Sequence, residues 1–93
     1  MKDIDVAIID RFFLVIDNLI ERKILKGVKT FTDKYNIDRR NFVCIRRDPE
    51  LHKGGLRLEW LYILVHDFNV SASFLIEGKG EIYKRGYNPP KPE

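Results

Sequence analysis

Cysteine occurs once in this 93-residue chain, at Cys44, and histidine twice, at His52 and His66. A lone thiol closes no disulfide within the chain, and a structural zinc site needs four Cys or His ligands, more than are present. That usage points to a reducing, cytoplasmic setting. Catalytic frames are equally scarce. There is no H-E-x-x-H, no glycine-rich loop to cradle a phosphate and no distinctive pair of carboxylates. A Cys–His nucleophile pair would need Cys44 beside a histidine and a third orienting group, and no spacing provides it. The expectation is a chain that is not an enzyme and uses neither cofactor nor metal. Apolar runs are short: Phe12–Ile16 falls far below the roughly 20 residues that cross a bilayer. The first ten residues carry Asp3, Asp5 and Asp10 and no basic segment with a cleavage site, so no secretory signal is expected. From Arg85 onward the chain has too much proline and too little apolar content to fold, so residues 85–93 are expected to form a flexible tail.

Hydrophobic residues make up 44% of the chain and aromatics 12%, enough for residues 1–84 to close one core without staples. The overall charge of +3 is modest, but its distribution is not even. Residues 1–21 hold two Lys/Arg against five Asp/Glu, net −3. Residues 22–57 hold eleven against four, net +7, and residues 58–93 hold four against five, net −1. A basic middle third between acidic flanks is the electrostatic footprint of a polyanion-binding face, with a solvated Lys/Arg surface as the plainer alternative.

Periodicity places the elements. Val6, Ile9, Phe13, Ile16 and Ile20 form one stripe of a helix from Ile4 to about Lys23. Ile8, Phe12, Val15 and Leu19 form a second stripe about a third of a turn away. One stripe closes a domain of this size. The second calls for a further buried contact, either with another copy of the chain, giving a homodimer through the first helix, or by a central place in the bundle. Farther along, Leu58, Leu61, Val65 and Phe68 predict a helix over 57–68 with those four facing inward and Trp60, Ile63 and Leu64 widening the face. Asn69 is placed to end it. Ser71 is placed to cap a last helix, Ala72–Ile76, that Gly78 and Gly80 stop.

Between Gly27 and Asp48 runs GVKTFTDKYNIDRRNFVCIRRD. Val28–Tyr35 makes a short helix with Phe31 and Tyr35 on one face. Asn36 takes the left-handed conformation that ends it. Ile37 turns inward and Asp38 caps a second helix, Arg39–Arg47. Phe42 and Ile45 of that helix face the core. Arg39, Arg40, Asn41, Val43, Cys44, Arg46 and Arg47 face elsewhere. Pro49 ends the helix and Gly54-Gly55 make a turn beyond it.

Thr30-Phe31-Thr32, Asn36-Ile37 and Phe42-x-x-Ile45 resemble the helix-turn-helix of the lambda-repressor/Cro (XRE) family. Phe74-Leu75-Ile76-Glu77-Gly78-Lys79-Gly80-Glu81-Ile82-Tyr83 is similar to the ending that follows the last helix in short members of that family. Together these cover roughly residues 8–84. The chain departs from the family pattern in four residues. Thr32 stands for the usual Ala and Asn36 for Gly. Phe42 stands for a β-branched aliphatic, so the core beneath the second helix must be roomier. Val28 stands where a DNA-contacting Gln is common. The loop from Asp48 to Gly55 is also longer. The resemblance implies an all-α, five-helix lambda-repressor-like domain that binds double-stranded DNA in the major groove. It further implies a small transcriptional regulator of phage or mobile-element type, working as a homodimer on a two-fold operator.

The residues that would carry this are specific. Arg39, Arg40 and Asn41 stand at the end of the second helix that enters the groove, where Arg pairs with guanine O6 and N7 and Asn with adenine N6 and N7. Cys44, one turn on, is a fourth candidate for base contact, its thiol against a thymine methyl. Its plainer reading is a small, partly buried group. Lys26, Lys29, Arg46, Arg47 and Lys53 flank the same face and would contact phosphates, which position without reading sequence. For Arg39 and Arg40 the alternative is surface charge or an ion pair with Asp38 or Asp33. The alternative for the whole chain is a protein-interaction module on a helix-turn-helix scaffold, binding an antitoxin-like partner.

Overall fold

The computed structural model describes residues 3–84. Five helices follow one another: α1, Ile4–Glu21; α2, Val28–Lys34; α3, Arg39–Arg47; α4, Leu58–Asp67; and α5, Ala72–Glu77. The chain is therefore all-α in its described residues, apart from one antiparallel bridge between Val70 and Tyr83. None of these helices is long and apolar enough to cross a membrane. The expected tail, 85–93, lies outside the described residues.

Short polar side chains start three of the helices by accepting from amides that have no partner within the helix. Asp3 accepts from the N–H groups of Asp5 and Val6 to begin α1. Asp38 accepts from Arg40 and Asn41 to begin α3. Ser71 accepts from Phe74 to begin α5. Left-handed residues end others: Lys23 after α1, Asn36 after α2 and Asn69 after α4, with φ of 63°, 54° and 55°. Gly78, at φ 72°, closes α5. A side chain there would also press on the Arg11 guanidinium, 3.1 Å from where a Cβ would stand. That guanidinium is in use. It donates to the carbonyls of Leu75 and Ile76 at 2.9 and 2.8 Å, joining α1 to the open end of α5.

Both apolar stripes of α1 are used inside the chain. Val6, Ile9, Phe12, Phe13, Val15, Ile16 and Leu19 are buried, and Ile8 and Ile20 pack against the core from its edge. The second stripe is thus covered within the chain, as a central helix requires. What α1 leaves outside is Ile4, Asp5, Asp10, Leu14, Asp17 and Glu21. At the centre, Phe42 of α3 meets Phe12, Phe13, Phe31 and Trp60, its ring centroid 5.0–5.8 Å from theirs. The roomier core expected beneath α3 is filled by rings from α1, α2 and α4.

The inward face of α4 is the expected one except at Leu58. Trp60, Leu61, Ile63, Leu64 and Phe68 are buried, Val65 is half-buried and Leu58 is 82% exposed. Trp60 sets this rotation. It offers the largest ring in the helix, and seating it against Phe12 and Phe42 turns Leu58 out to solvent. Leu51 is likewise exposed, in the loop between α3 and α4. Gly55 of that loop lies so close under α3 that a Cβ would stand 2.9 Å from Ile45 Cδ1. The expected turn thus includes a close approach, at Gly55.

Asp3 has a second task. Lys53 Nζ donates to its carboxylate at 2.8 Å, tying the start of α1 to the loop after α3. This contact first, and the Val6 amide next, hold the Asp3 carboxyl below its ordinary value of 3.8. The same contact raises the Lys53 ammonium. A carboxyl lowered by folding stabilises the fold above its unfolded pKa and ceases to do so as pH falls through the folded one. A raised lysine contributes below its unfolded pKa and ceases to contribute as pH rises through the folded one.

Two outcomes follow for stability. Phe42→Ala should cost about 3–5 kcal/mol in urea unfolding, while Leu58→Ala should stay within about 0.5 kcal/mol of the parent. A large loss at Leu58 would restore the originally expected face. Asn caps a helix as well as Asp does, so Asp3→Asn removes the charge and keeps the cap. Its deficit in urea midpoint should be constant at neutral pH, shrink as pH falls below 3.8 and vanish once Asp3 is protonated. A deficit independent of pH would assign the loss to capping instead.

Candidate nucleic-acid interface

Two buried side chains aim α3. Phe42 and Ile45 are both fully buried, and on a helix this leaves Arg40 and Arg47 pointing directly away from the core. Val43 lies on one side of that outward line and Cys44 on the other. Arg39, Arg40, Asn41 and Arg47 are exposed, whereas Cys44 is a half-buried free thiol. The Arg47 Nη2 stands 4.0 Å from Cys44 Sγ. None of Lys26, Lys29, Arg39 and Arg40 forms an ion pair with a described residue. Asp38, the expected competitor for Arg39 and Arg40, turns its carboxylate to the helix amides.

The turn before α3 fixes its angle to α2. Ile37 donates its N–H to the Thr32 carbonyl at 2.8 Å, folding the turn back on α2. Thr32 is fully buried. Its hydroxyl lies within hydrogen-bond reach of the Val28 and Lys29 carbonyls of its own helix, at 3.2 and 3.1 Å, so it crosses no apolar surface unpaired. Val28 packs against the edge of the core. A surface chain ties α2 to α4: the Tyr35 hydroxyl donates to Asp67 at 2.7 Å, and the other Asp67 oxygen is 2.8 Å from His66 Nδ1. The His66 contact, then the Tyr35 hydroxyl, hold the Asp67 carboxyl below its ordinary range.

Two of the five residues expected at phosphates are engaged elsewhere. Arg46 donates through Nη2 to both oxygens of Asp17 on α1, at 2.6 and 2.8 Å, and its guanidinium lies over the Phe13 ring at 5.8 Å. Helical geometry is the cause: Arg46 lies on the flank of α3 that borders α1. Lys53 is held by Asp3, and by Glu50 at 3.6 Å. A phosphate would have to compete with these carboxylates. Lys26, Lys29 and Arg47 meet no such competition.

Two residues join the face that sequence reasoning did not single out. Arg57, the last residue before α4, lines a cleft of about 410 Å³ together with Asn36, Asp38 and Asn41. It closes the basic block 22–57, and its charge was the available signal. Val43 is exposed between the arginines. The helical period predicts it outward, and its apolar side chain gives no local signal of a chemical role.

The geometry offers one exposed helical face with cationic and amide donors at one end, and exposed lysines on α2 and the connector before it. Among the described residues no group of three His, Cys, Asp or Glu side chains is arranged to hold a metal ion. Compared with protein-family models, with curated proteins and with solved structures, the chain matches none of them.

Proposed function

We propose that this chain is a lambda-repressor/Cro-like helix-turn-helix protein that binds double-stranded DNA, with α3 in the major groove. It would serve as a small transcriptional regulator of phage or mobile-element type, acting in the cytoplasm. One observation carries the reading. Arg39, Arg40, Asn41 and Arg47 are all exposed on a single helix that two buried side chains and the Asp38 cap hold at a fixed angle. Arg and Asn are the side chains whose donor and acceptor spacing fits guanine and adenine edges. In this reading Arg39, Arg40 and Asn41 read bases. Lys26, Lys29 and Arg47 hold phosphates, and Arg57 extends the contact from the start of α4. Arg46 and Lys53 join only when a phosphate displaces Asp17 or Asp3. A two-fold operator calls for a second copy about one DNA turn away. The acidic outward face of α1 is a poor surface for that copy, because like charges would meet across it.

A second reading has its own support. Leu58 and Tyr62 are 82% and 62% exposed on α4, one helical turn apart. They would suit the interaction-module alternative, with a protein partner on α4.

Mobility shift on random and selected duplexes across a salt series separates the two. Three phosphate contacts per copy give a slope of log K against log salt of about −3, and about twice that for a pair. Arg40→Ala should cost about 1–3 kcal/mol on the selected site and little on random duplex. Lys29→Ala should weaken both and flatten the slope by about one unit. Asp17→Asn, which frees Arg46, should steepen the slope by about one unit. Absence of binding to any duplex at low salt would leave the protein-partner reading in place.

A further inference from the structure

We infer that Val43 is a specificity residue that packs on the 5-methyl group of thymine at the floor of the groove, an assignment that rests on the duplex-binding reading above. Residues three and four apart on a helix are neighbours. Val43 is therefore bordered by Arg39 and Arg40 on one turn and by Arg46 and Arg47 on the next. It is 41% exposed and is the one large apolar side chain of α3 turned to solvent. It belongs neither to the buried cluster nor to the side chains packed around that cluster. A β-branched residue is also a poorer helix former than the Arg or Ala that the position would accept. The fold gains nothing from a valine here.

A duplex supplies a use for it. The major-groove edges of the four base pairs present hydrogen-bond donors and acceptors and a single apolar feature, the thymine methyl. Arginines on both turns would hold α3 against phosphates and guanine edges, and the apolar side chain between them would then face the bases. The alternative methyl reader was Cys44. That residue is half-buried, and its sulfur is turned toward the Arg47 guanidinium. Val43 presents two methyl groups with no such partner. A protein contact centred on this valine would bury four guanidinium groups together, each of which would need its own anionic partner.

The test uses a random duplex pool of about 20 base pairs, long enough for two half-sites one turn apart. Wild-type protein enriches a site from the pool. That site is then remade with deoxyuridine in place of thymidine at one position at a time, which removes the methyl and keeps every hydrogen bond. At one position per half-site the exchange should lower wild-type affinity about four-fold, the worth of one buried methyl group. Val43→Ala should bind the thymine and uracil duplexes equally, with the affinity that wild type shows for the uracil one. Its thermal midpoint should match or slightly exceed the parent's, so loss of folding cannot imitate the result. The inference is overturned if every exchange is silent in wild type, or if Val43→Ala keeps the four-fold preference. Failure to shift any duplex at low salt overturns the binding reading itself, a distinct outcome.

Discussion

Burial of Phe42 governs the rest of the molecule. Its ring occupies the point where α1, α2, α3 and α4 meet, against four other aromatic rings. Rings in offset or edge contact have few alternative arrangements, so the cluster fixes rotation as well as distance. With Phe42 and Ile45 inward, the 3.6-residue period leaves Arg40 and Arg47 outermost and puts Arg46 on the flank that borders Phe13 and Asp17. The same cluster takes in Trp60 and so turns α4. One hydrophobic constraint thereby decides which cations meet solvent and which meet the protein's own carboxylates.

Charge then divides along the lines that packing draws. The acidic N-terminal segment meets the basic stretch through ion pairs at two points, where Asp17 reaches Arg46 and Asp3 reaches Lys53. These pairs are solvent-exposed, and each adds little stability on its own. Their larger effect is on the surface that remains. They neutralise cations at the border nearest α1 and leave Lys26, Lys29, Arg39, Arg40 and Arg47 exposed and outside the ion pairs. The Asp67 contacts to Tyr35 and His66 support this from behind by joining the end of α2 to the end of α4.

Local signals were legible in the sequence. Asp38 and Ser71 cap the helices they were expected to cap, and Asn36 takes the left-handed turn its short polar side chain permits. All five helices appear within about two residues of their expected bounds, because each carries a clear period or a clear stop. Helix rotation was less legible. The apolar residues of α4 run from Leu58 through Trp60, Leu61, Ile63, Leu64 and Val65 to Phe68, too wide a face to be buried whole, and the seat of Trp60 against Phe42 leaves Leu58 out. The two stripes of α1 posed the same difficulty, since sequence counts apolar surface without saying which partner covers it. The pairings of Arg46 with Asp17 and Lys53 with Asp3 join residues 29 and 50 positions apart. No local pattern records contacts of that range. Val43 was legible as outward and illegible as useful, because an exposed valine gains meaning only from the arginines around it.

The arginine tip of α3 breaks a local rule, and the break is informative. Arg39 and Arg40 occupy the first turn, where the helix dipole is positive and the favoured charges are negative. Each such placement costs about 0.3–1 kcal/mol, and Asp38 offsets only part of it. The last turn holds Arg46 and Arg47, where the dipole favours them. A chain selected for stability alone would put acids at the start of α3, as α1 does with Asp5. The cost ceases to be one when an anion approaches. Amide dipoles and two guanidinium groups then act in the same direction on a phosphate or on the electron-rich edge of guanine. Local inconsistency of this kind belongs at working surfaces, and in the described residues it coincides with the end of α3 that the Phe42 anchor turns outward.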